Sequence, residues 1–213
     1  MAKTKFKSSP GFTLIEMAIV LVVIGLILGM VYKGRQLVAS AKVKKMVGQY
    51  NKIIGATNTF FDRYGFYPGD GCTGPDSDYN FDDPNPMDCT GHKNGYVEGK
   101  SAYDGDTEAT AYWQLLIEAT NILSKADRES VFGQEWDILG ADASGGGLPD
   151  QTSWLDLEGG SQADPRISCA MDKMIDDGYA DDGSVRTLDS SYNPDTDCWS
   201  LDGQVNVHLK VLP

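Results

Sequence analysis

Histidine is nearly missing from this chain, with only His92 and His208, far apart. Cysteine is scarce too: Cys72, Cys89, Cys169 and Cys198 include no CxxC pair. Zinc sites draw on closely spaced Cys and His ligands, so a zinc domain is excluded. There is no GxSxG, no HExxH and no complete phosphate loop. Gly95 to Ser101 (GYVEGKS) comes near the last, but the glycine it needs would fall at Asn94, and a turn is the better reading. No catalytic site is expected. Bases are few after residue 65, with 8 Lys and Arg against 29 Asp and Glu. Such a surface repels phosphates, so nucleic acid is not expected as a partner. Proline is absent between Pro10 and Pro68, which leaves a long stretch with no helix breaker.

Into that stretch falls the one long apolar run. Phe12 to Val31 is twenty residues of nearly unbroken hydrocarbon. At about 1.5 Å per residue it spans about 30 Å, the depth of a bilayer core. One residue does not fit: Glu16. A secretory signal has an apolar region of only about 7–15 residues ahead of its cleavage site. Ala39-Ser40-Ala41 offers an A-x-A match, but eight residues past the run. A plain membrane anchor is the other ordinary reading. Neither has a use for a carboxylate at membrane depth, where such a group costs kilocalories unless paired.

Lys3, Lys5 and Lys7, then Gly11-Phe12-Thr13-Leu14-Ile15-Glu16 ahead of the apolar helix, resemble the type III signal of type IV pilins and of the pseudopilins of type II secretion. The resemblance implies a membrane aspartyl peptidase, the prepilin peptidase, that cuts between Gly11 and Phe12 and methylates the new amino terminus at Phe12. It implies a partner for Glu16, the ammonium of Phe12 on a neighbouring subunit. In a low dielectric an unpaired carboxylate is penalised and a paired one is held firmly, so the charge would set register during assembly. Storage in the inner membrane, an inner-membrane assembly platform and a helical homo-oligomer follow from the same resemblance. Gly25-Leu26-Ile27-Leu28-Gly29 is a GxxxG, a pattern of close helix approach in lipid. In the family the equivalent stretch often loses helicity on assembly; many members carry a proline eight residues after the first glycine, where this chain has Lys33. Basic residues slightly favour the far flank of the run (Lys33, Arg35, Lys42, Lys44 and Lys45). Counting alone would place the amino terminus outside, whereas the motif places it inside.

The helical pattern continues beyond the membrane run. Val43, Met46, Val47, Tyr50, Ile53, Ile54, Thr57, Phe60, Phe61 and Tyr64 recur at three and four residues, which predicts one helix from Phe12 to about Tyr64. Gly65 and Pro68 end it, and Arg63 to Asp70 (RYGFYPGD) resembles the end of that helix in prepilin-like proteins. The division is a leader (1–11), a membrane or filament-core helix (12–31), its amphipathic continuation (32–65) and an acidic head (66–213). Lys42, Lys44, Lys45 and Lys52 lie off the apolar stripe; they form a solvated face or meet the acidic heads of neighbours. The expected fold class is α+β and pilin-like, with a small antiparallel sheet and disulfide-stapled loops.

In the head, Cys72 to Tyr103 reads as a long loop. Two disulfides are expected in an oxidising compartment; of three possible pairings, 72–89 with 169–198 closes the shortest loops. Thr107 to Leu123 reads as a helix capped by Thr107. The stretch 126–161 reads as loop, with Gly145, Gly146 and Gly147 as a flexible point. Trp113, Trp136 and Trp154 are core candidates. Asp164-Pro165 opens another helix, with Ile167, Ala170, Met171, Met174 and Ile175 on one face and Gly178 at its end. Val185 to Leu188 is a candidate strand. Val205 to Val211 alternates as a half-buried strand does, with His208 on its outer side. The stretch AMDKMIDDGYADDGSV resembles a late segment of many prepilin-like proteins. Related secretion pseudopilins hold calcium in late loops, which makes Asp176, Asp177, Asp181 and Asp182 candidate oxygen ligands, though their spacing is not that of an EF-hand; no other cofactor is expected.

Three functions stay open. One is a subunit of an extracellular type IV pilus serving adhesion or motility. Another is a periplasmic pseudopilin of a secretion or DNA-uptake system. The third is a membrane-anchored periplasmic binding module.

Overall fold

The computed structural model describes residues 11–99, 107–141, 148–157, 163–188 and 191–212. The leader before Gly11 and the Gly145, Gly146 and Gly147 triplet lie outside the described residues. Helix α1 runs unbroken over Leu14–Tyr64, as its uninterrupted periodicity predicts. The chain divides into two compact units between Ser40 and Ala41.

In the first unit, Leu14–Val31 has a mean hydropathy of 2.8 and is wholly exposed. Its length and composition suffice to cross a membrane.

In the second unit, α1 buries Val43, Met46, Tyr50, Ile53, Ala56 and Phe60, one face of the helix at intervals of three and four. Each large side chain so buried contributes about 1.5–3 kcal/mol. Two polar groups within the stripe are bonded: the Tyr50 hydroxyl donates to the Lys210 carbonyl at 2.6 Å, and Thr57 Oγ1 lies 2.6 Å from the Tyr112 hydroxyl. Gly65 ends the helix in a left-handed conformation (φ +82°), its N–H donating to the Phe61 carbonyl at 2.8 Å. A side chain there would resist that φ.

Against α1 packs an antiparallel sheet of β1 (Trp136–Ala141), β2 (Thr152–Leu157), β3 (Val185–Thr187) and β4 (Val207–Leu212), in the order β1-β2-β4-β3. Strands β1 and β2 fall in the stretch that reads as loop. Their sequences, WDILGA and TSWLDL, put Asp137, Ser153 and Asp156 at buried positions. With both faces covered, no polar-apolar alternation marks them. His208 needs a correction for the same reason. It is 4% exposed, not outward, and its Nδ1 lies 3.7 Å from Asp156 Oδ1. Strand β4 is interior, paired on both edges.

Helix α2 (Glu108–Gln114) is capped by Thr107, whose Oγ1 accepts from the Thr110 N–H at 3.3 Å. It widens into a π turn at Leu115–Ala119, closed by the Thr120 N–H on the Leu115 carbonyl (3.2 Å), and so stops short of Leu123. A short α3 (Lys125–Arg128) follows. Helix α4 (Pro165–Ile175) starts at Asp164 as expected. Met174, counted on its buried face, is instead 56% exposed, and Asp172 is buried. Trp113, Trp136 and Trp154 are core. Cys72 is bonded to Cys89 and Cys169 to Cys198, over separations of 17 and 29 residues. Closing loops of that size stabilises by about 3–4 kcal/mol each in the chain-entropy account.

Candidate functional site

The amino-terminal segment is built around one reciprocal contact. Thr13 precedes α1, and Glu16 lies in its first turn. Glu16 Oε2 accepts from the Thr13 N–H and from Thr13 Oγ1, both at 2.7 Å, while the Glu16 N–H donates to Thr13 Oγ1 at 3.3 Å. This is a capping box: the sequence T-x-x-E satisfies donors that a helix start leaves orphaned. Glu16 therefore has a local partner within its own chain. Its second oxygen, Oε1, accepts nothing among the described residues and is free for a cation from outside. Phe12 is 81% exposed, and Leu14, Ile15 and the apolar side chains after them are exposed likewise. At Gly25 and Gly29 a Cβ would meet nothing within 4 Å. Neither glycine serves packing inside the chain, and α1 stays helical through both.

A second constellation lies at the end of α4. Asp172, Asp176 and Asp177 each offer an oxygen within 4.8 Å of the others. Such a set suits a hard cation such as calcium. Asp181 and Asp182 fall outside this group, and Asp182 Oδ1 instead meets Arg186 at 3.3 Å. Asp176 is also engaged by backbone, its Oδ2 accepting from the Ser184 and Val185 N–H groups. Burial pushes the Asp172 carboxyl up to about 6, assisted by the charges of Asp176 and Asp177 and opposed by Tyr192 and the Gly178 N–H. The sequence signal for Asp172 was its place three residues after Cys169, on the face α4 buries.

Two more acids are buried beside the first disulfide. Glu108 Oε1 accepts from the Gly71 N–H at 2.7 Å and Oε2 from the Glu98 N–H at 2.9 Å. Asp70 accepts from the Asn94 and Gly95 N–H groups, both at 3.0 Å. Glu108 thus ties the segments flanking the Cys72–Cys89 loop to the start of α2, and Asp70 ties those two segments to each other, a structural use of carboxylates that the surplus of acids concealed in the sequence.

The amino-terminal geometry coincides with the finding from known families. Residues 7–32 match the prokaryotic N-terminal methylation motif. The chain carries a prepilin-type signal, that of type IV pilins and pseudopilins. No curated protein and no solved structure matches the chain. The signal encloses Gly11, Phe12, Glu16, Gly25 and Gly29, and the α+β architecture behind it is pilin-like. Membrane anchoring before assembly fits both the signal and the exposed apolar helix.

Proposed function

We propose that the chain is a structural subunit of an extracellular type IV pilus-like filament. In this reading a prepilin peptidase cuts between Gly11 and Phe12 and methylates Phe12. The subunit waits in the inner membrane until an assembly platform extracts it, and α1 of each copy packs into a helical core. One observation carries the reading: the signal at residues 7–32 heads an apolar surface that is entirely uncovered in a single chain. Removing such a surface from lipid without covering it is unfavourable, so extraction must be coupled to packing against other copies. Glu16 then exchanges its Thr13 contact for the Phe12 ammonium of a neighbour.

Mass spectrometry of the mature protein should find N-methyl-Phe12; an intact Met1 would sink the reading and favour an anchored binding module. Glu16→Ala should leave cleavage possible while impairing filament formation, and normal filaments from it would remove the docking role.

A pseudopilin is the second reading, favoured by the Asp172, Asp176 and Asp177 cluster in the late region where secretion pseudopilins hold calcium. Imaging decides between them: long surface filaments containing this chain support the pilus, and short periplasmic ones the pseudopilus.

A further inference from the structure

Asn94 is the only asparagine in the chain that precedes a glycine. The pair is chemically reactive, because without a Cβ on Gly95 its backbone nitrogen can approach the Asn94 side-chain carbon unhindered. The fold surrounds it with groups of complementary roles. The Gly95 N–H donates to Asp70 Oδ2 and the Asn94 N–H to Asp70 Oδ1, both at 3.0 Å. Asn94 Oδ1 accepts from the Tyr96 N–H at 3.2 Å. Asn94 Nδ2 donates to Glu98 Oε1 at 2.7 Å. A carboxylate needs a donor and an N–H an acceptor, so these two contacts fix which end of the amide is which.

The neighbouring chain holds this arrangement in place. Gly95 is in the left-handed region (φ +88°). The Glu98 N–H donates to Glu108 Oε2 at 2.9 Å, and the Val97 N–H to Ser153 Oγ in β2 at 2.8 Å. Asp70 is 2% exposed. Burial raises its carboxyl, opposed by the Asn94 and Gly95 N–H groups and by the charges of Lys93 and His92. A carboxylate that holds a proton more tightly is the better base. Asn94 itself is exposed, and it lines a cavity of about 210 Å³ together with His92, Glu98 and Glu108, which leaves room for water.

We propose that Asn94 is a self-modification site, with Asp70 as the base that drives its conversion to aspartate or isoaspartate. The Gly95 nitrogen bonds to Asn94 Cγ as its proton passes to Asp70. That proton lies in the peptide plane and the attack uses the face above it, so the bond to Asp70 does not block the reaction. The Tyr96 N–H stabilises the negative charge that gathers on Oδ1. The Cγ–Nδ2 bond then breaks, and the nitrogen, oriented by Glu98, takes a proton from water and leaves as ammonia. Asp70 returns its proton to solvent, and water opens the succinimide at either carbonyl. One water is consumed and one ammonia released. The product sets a new carboxylate against Glu98, where an amide donated before, and like charges so placed repel. Each reacted copy therefore holds the segment around Glu98 less firmly.

The test incubates the full chain in detergent at constant temperature and follows position 94 by peptide mapping with mass spectrometry, with released ammonia as the second readout. A placed general base contributes about 10²–10⁴-fold. Allowing for a peptide that must still turn toward Cγ, the folded chain should convert Asn94 at least about tenfold faster than the same chain unfolded in guanidinium. Asp70→Asn, which still offers an oxygen to the Gly95 N–H, should remove that gain. Asn94→Gln, which would have to close a larger ring, should release no ammonia from this position. The pH profile needs no variant: the wild-type rate should level off once Asp70 has lost its proton, whereas conversion driven by hydroxide climbs about tenfold with each pH unit. A folded chain that reacts no faster than the unfolded one overturns the proposal. So does a rate that climbs with pH without a plateau, or an Asp70→Asn chain that keeps or exceeds the wild-type rate, which would make Asp70 a lock on the Gly95 nitrogen rather than its base.

Discussion

Raising the pH from about 5 to 8 should weaken the head, and Glu108 provides the cleanest measure of why. Its carboxyl is 5% exposed, in the first turn of α2. Burial pushes it up to about 7; the Glu98 and Gly71 N–H groups oppose this, and the nearby Asp70 and Glu98 charges add to it. In the unfolded chain the same group titrates near 4.5. Between 4.5 and 7 the folded protein therefore keeps a proton that the unfolded chain has released. Stability falls as pH rises through that window and is level above it. At about 1.4 kcal/mol per pH unit, the interval gives at most about 3 kcal/mol, and about 2 kcal/mol once screening by nearby water is allowed for. Asp172, raised to about 6, acts in the same direction, so the wild-type curve alone cannot isolate Glu108. The difference from Glu108→Gln can. The amide does not titrate, and it presents only one acceptor to the Gly71 and Glu98 N–H groups. It should cost about 1–2 kcal/mol where wild-type Glu108 is protonated, and the deficit should shrink by about 2 kcal/mol between pH 4.5 and 8. Urea titration of the full chain in detergent, followed by tryptophan fluorescence, reads the head alone, since Trp113, Trp136, Trp154 and Trp199 all lie beyond residue 65. A wild-type-minus-variant difference that is flat with pH, or that widens as pH rises, would refute the reasoning.

Three other outcomes are expected. Phe60→Ala, which opens a hole between α1 and the rings of Tyr64 and Phe66, 4.6 and 5.6 Å away between centroids, should lower stability by about 3–5 kcal/mol in the same urea assay. Gly140→Ala should destabilise by more than an exposed Gly→Ala change, because its Cβ would collide with the Val97 carbonyl; an unchanged urea midpoint would contradict that packing. A calcium ion on Asp172, Asp176 and Asp177 should raise the unfolding free energy by about 2.7 kcal/mol at a hundredfold excess over its Kd. Asp172→Asn should abolish the gain, and a thermal midpoint unmoved by calcium would remove the cation role.

What could be read from the sequence was what is local. The course of α1 follows from apolar spacing at three and four residues and from Gly65 and Pro68. The signal is a run of adjacent residues. Strand β4 alternates because its inner side chains, Val207 and Leu209, face the core. Strands β1 and β2 do not alternate, because the sheet's second face is covered as well and accepts acids: Asp137 and Asp156 stand directly opposite in the β1–β2 register, with His208 beside Asp156. Burying Asp156 depends on a partner distant in sequence, His208 from β4, 3.7 Å away, and no window of neighbouring residues contains both.

The acidic surplus compounds the difficulty. When 29 of the residues after position 65 are carboxylates, Glu108 looks the same in sequence as Asp82 or Asp181, and only its spacing from Cys169 sets Asp172 apart. Tertiary placement separates them, and with opposite consequences. Burial raises the Glu108 and Asp172 carboxyls, which costs stability as pH rises, whereas Asp82 and Asp181 are exposed. The bases of α1 show the same limit: Lys52 meets Asp127, 75 residues further along the chain, at 2.6 Å, while Lys44 and Lys45 make no ion pair among the described residues, and only the fold tells them apart.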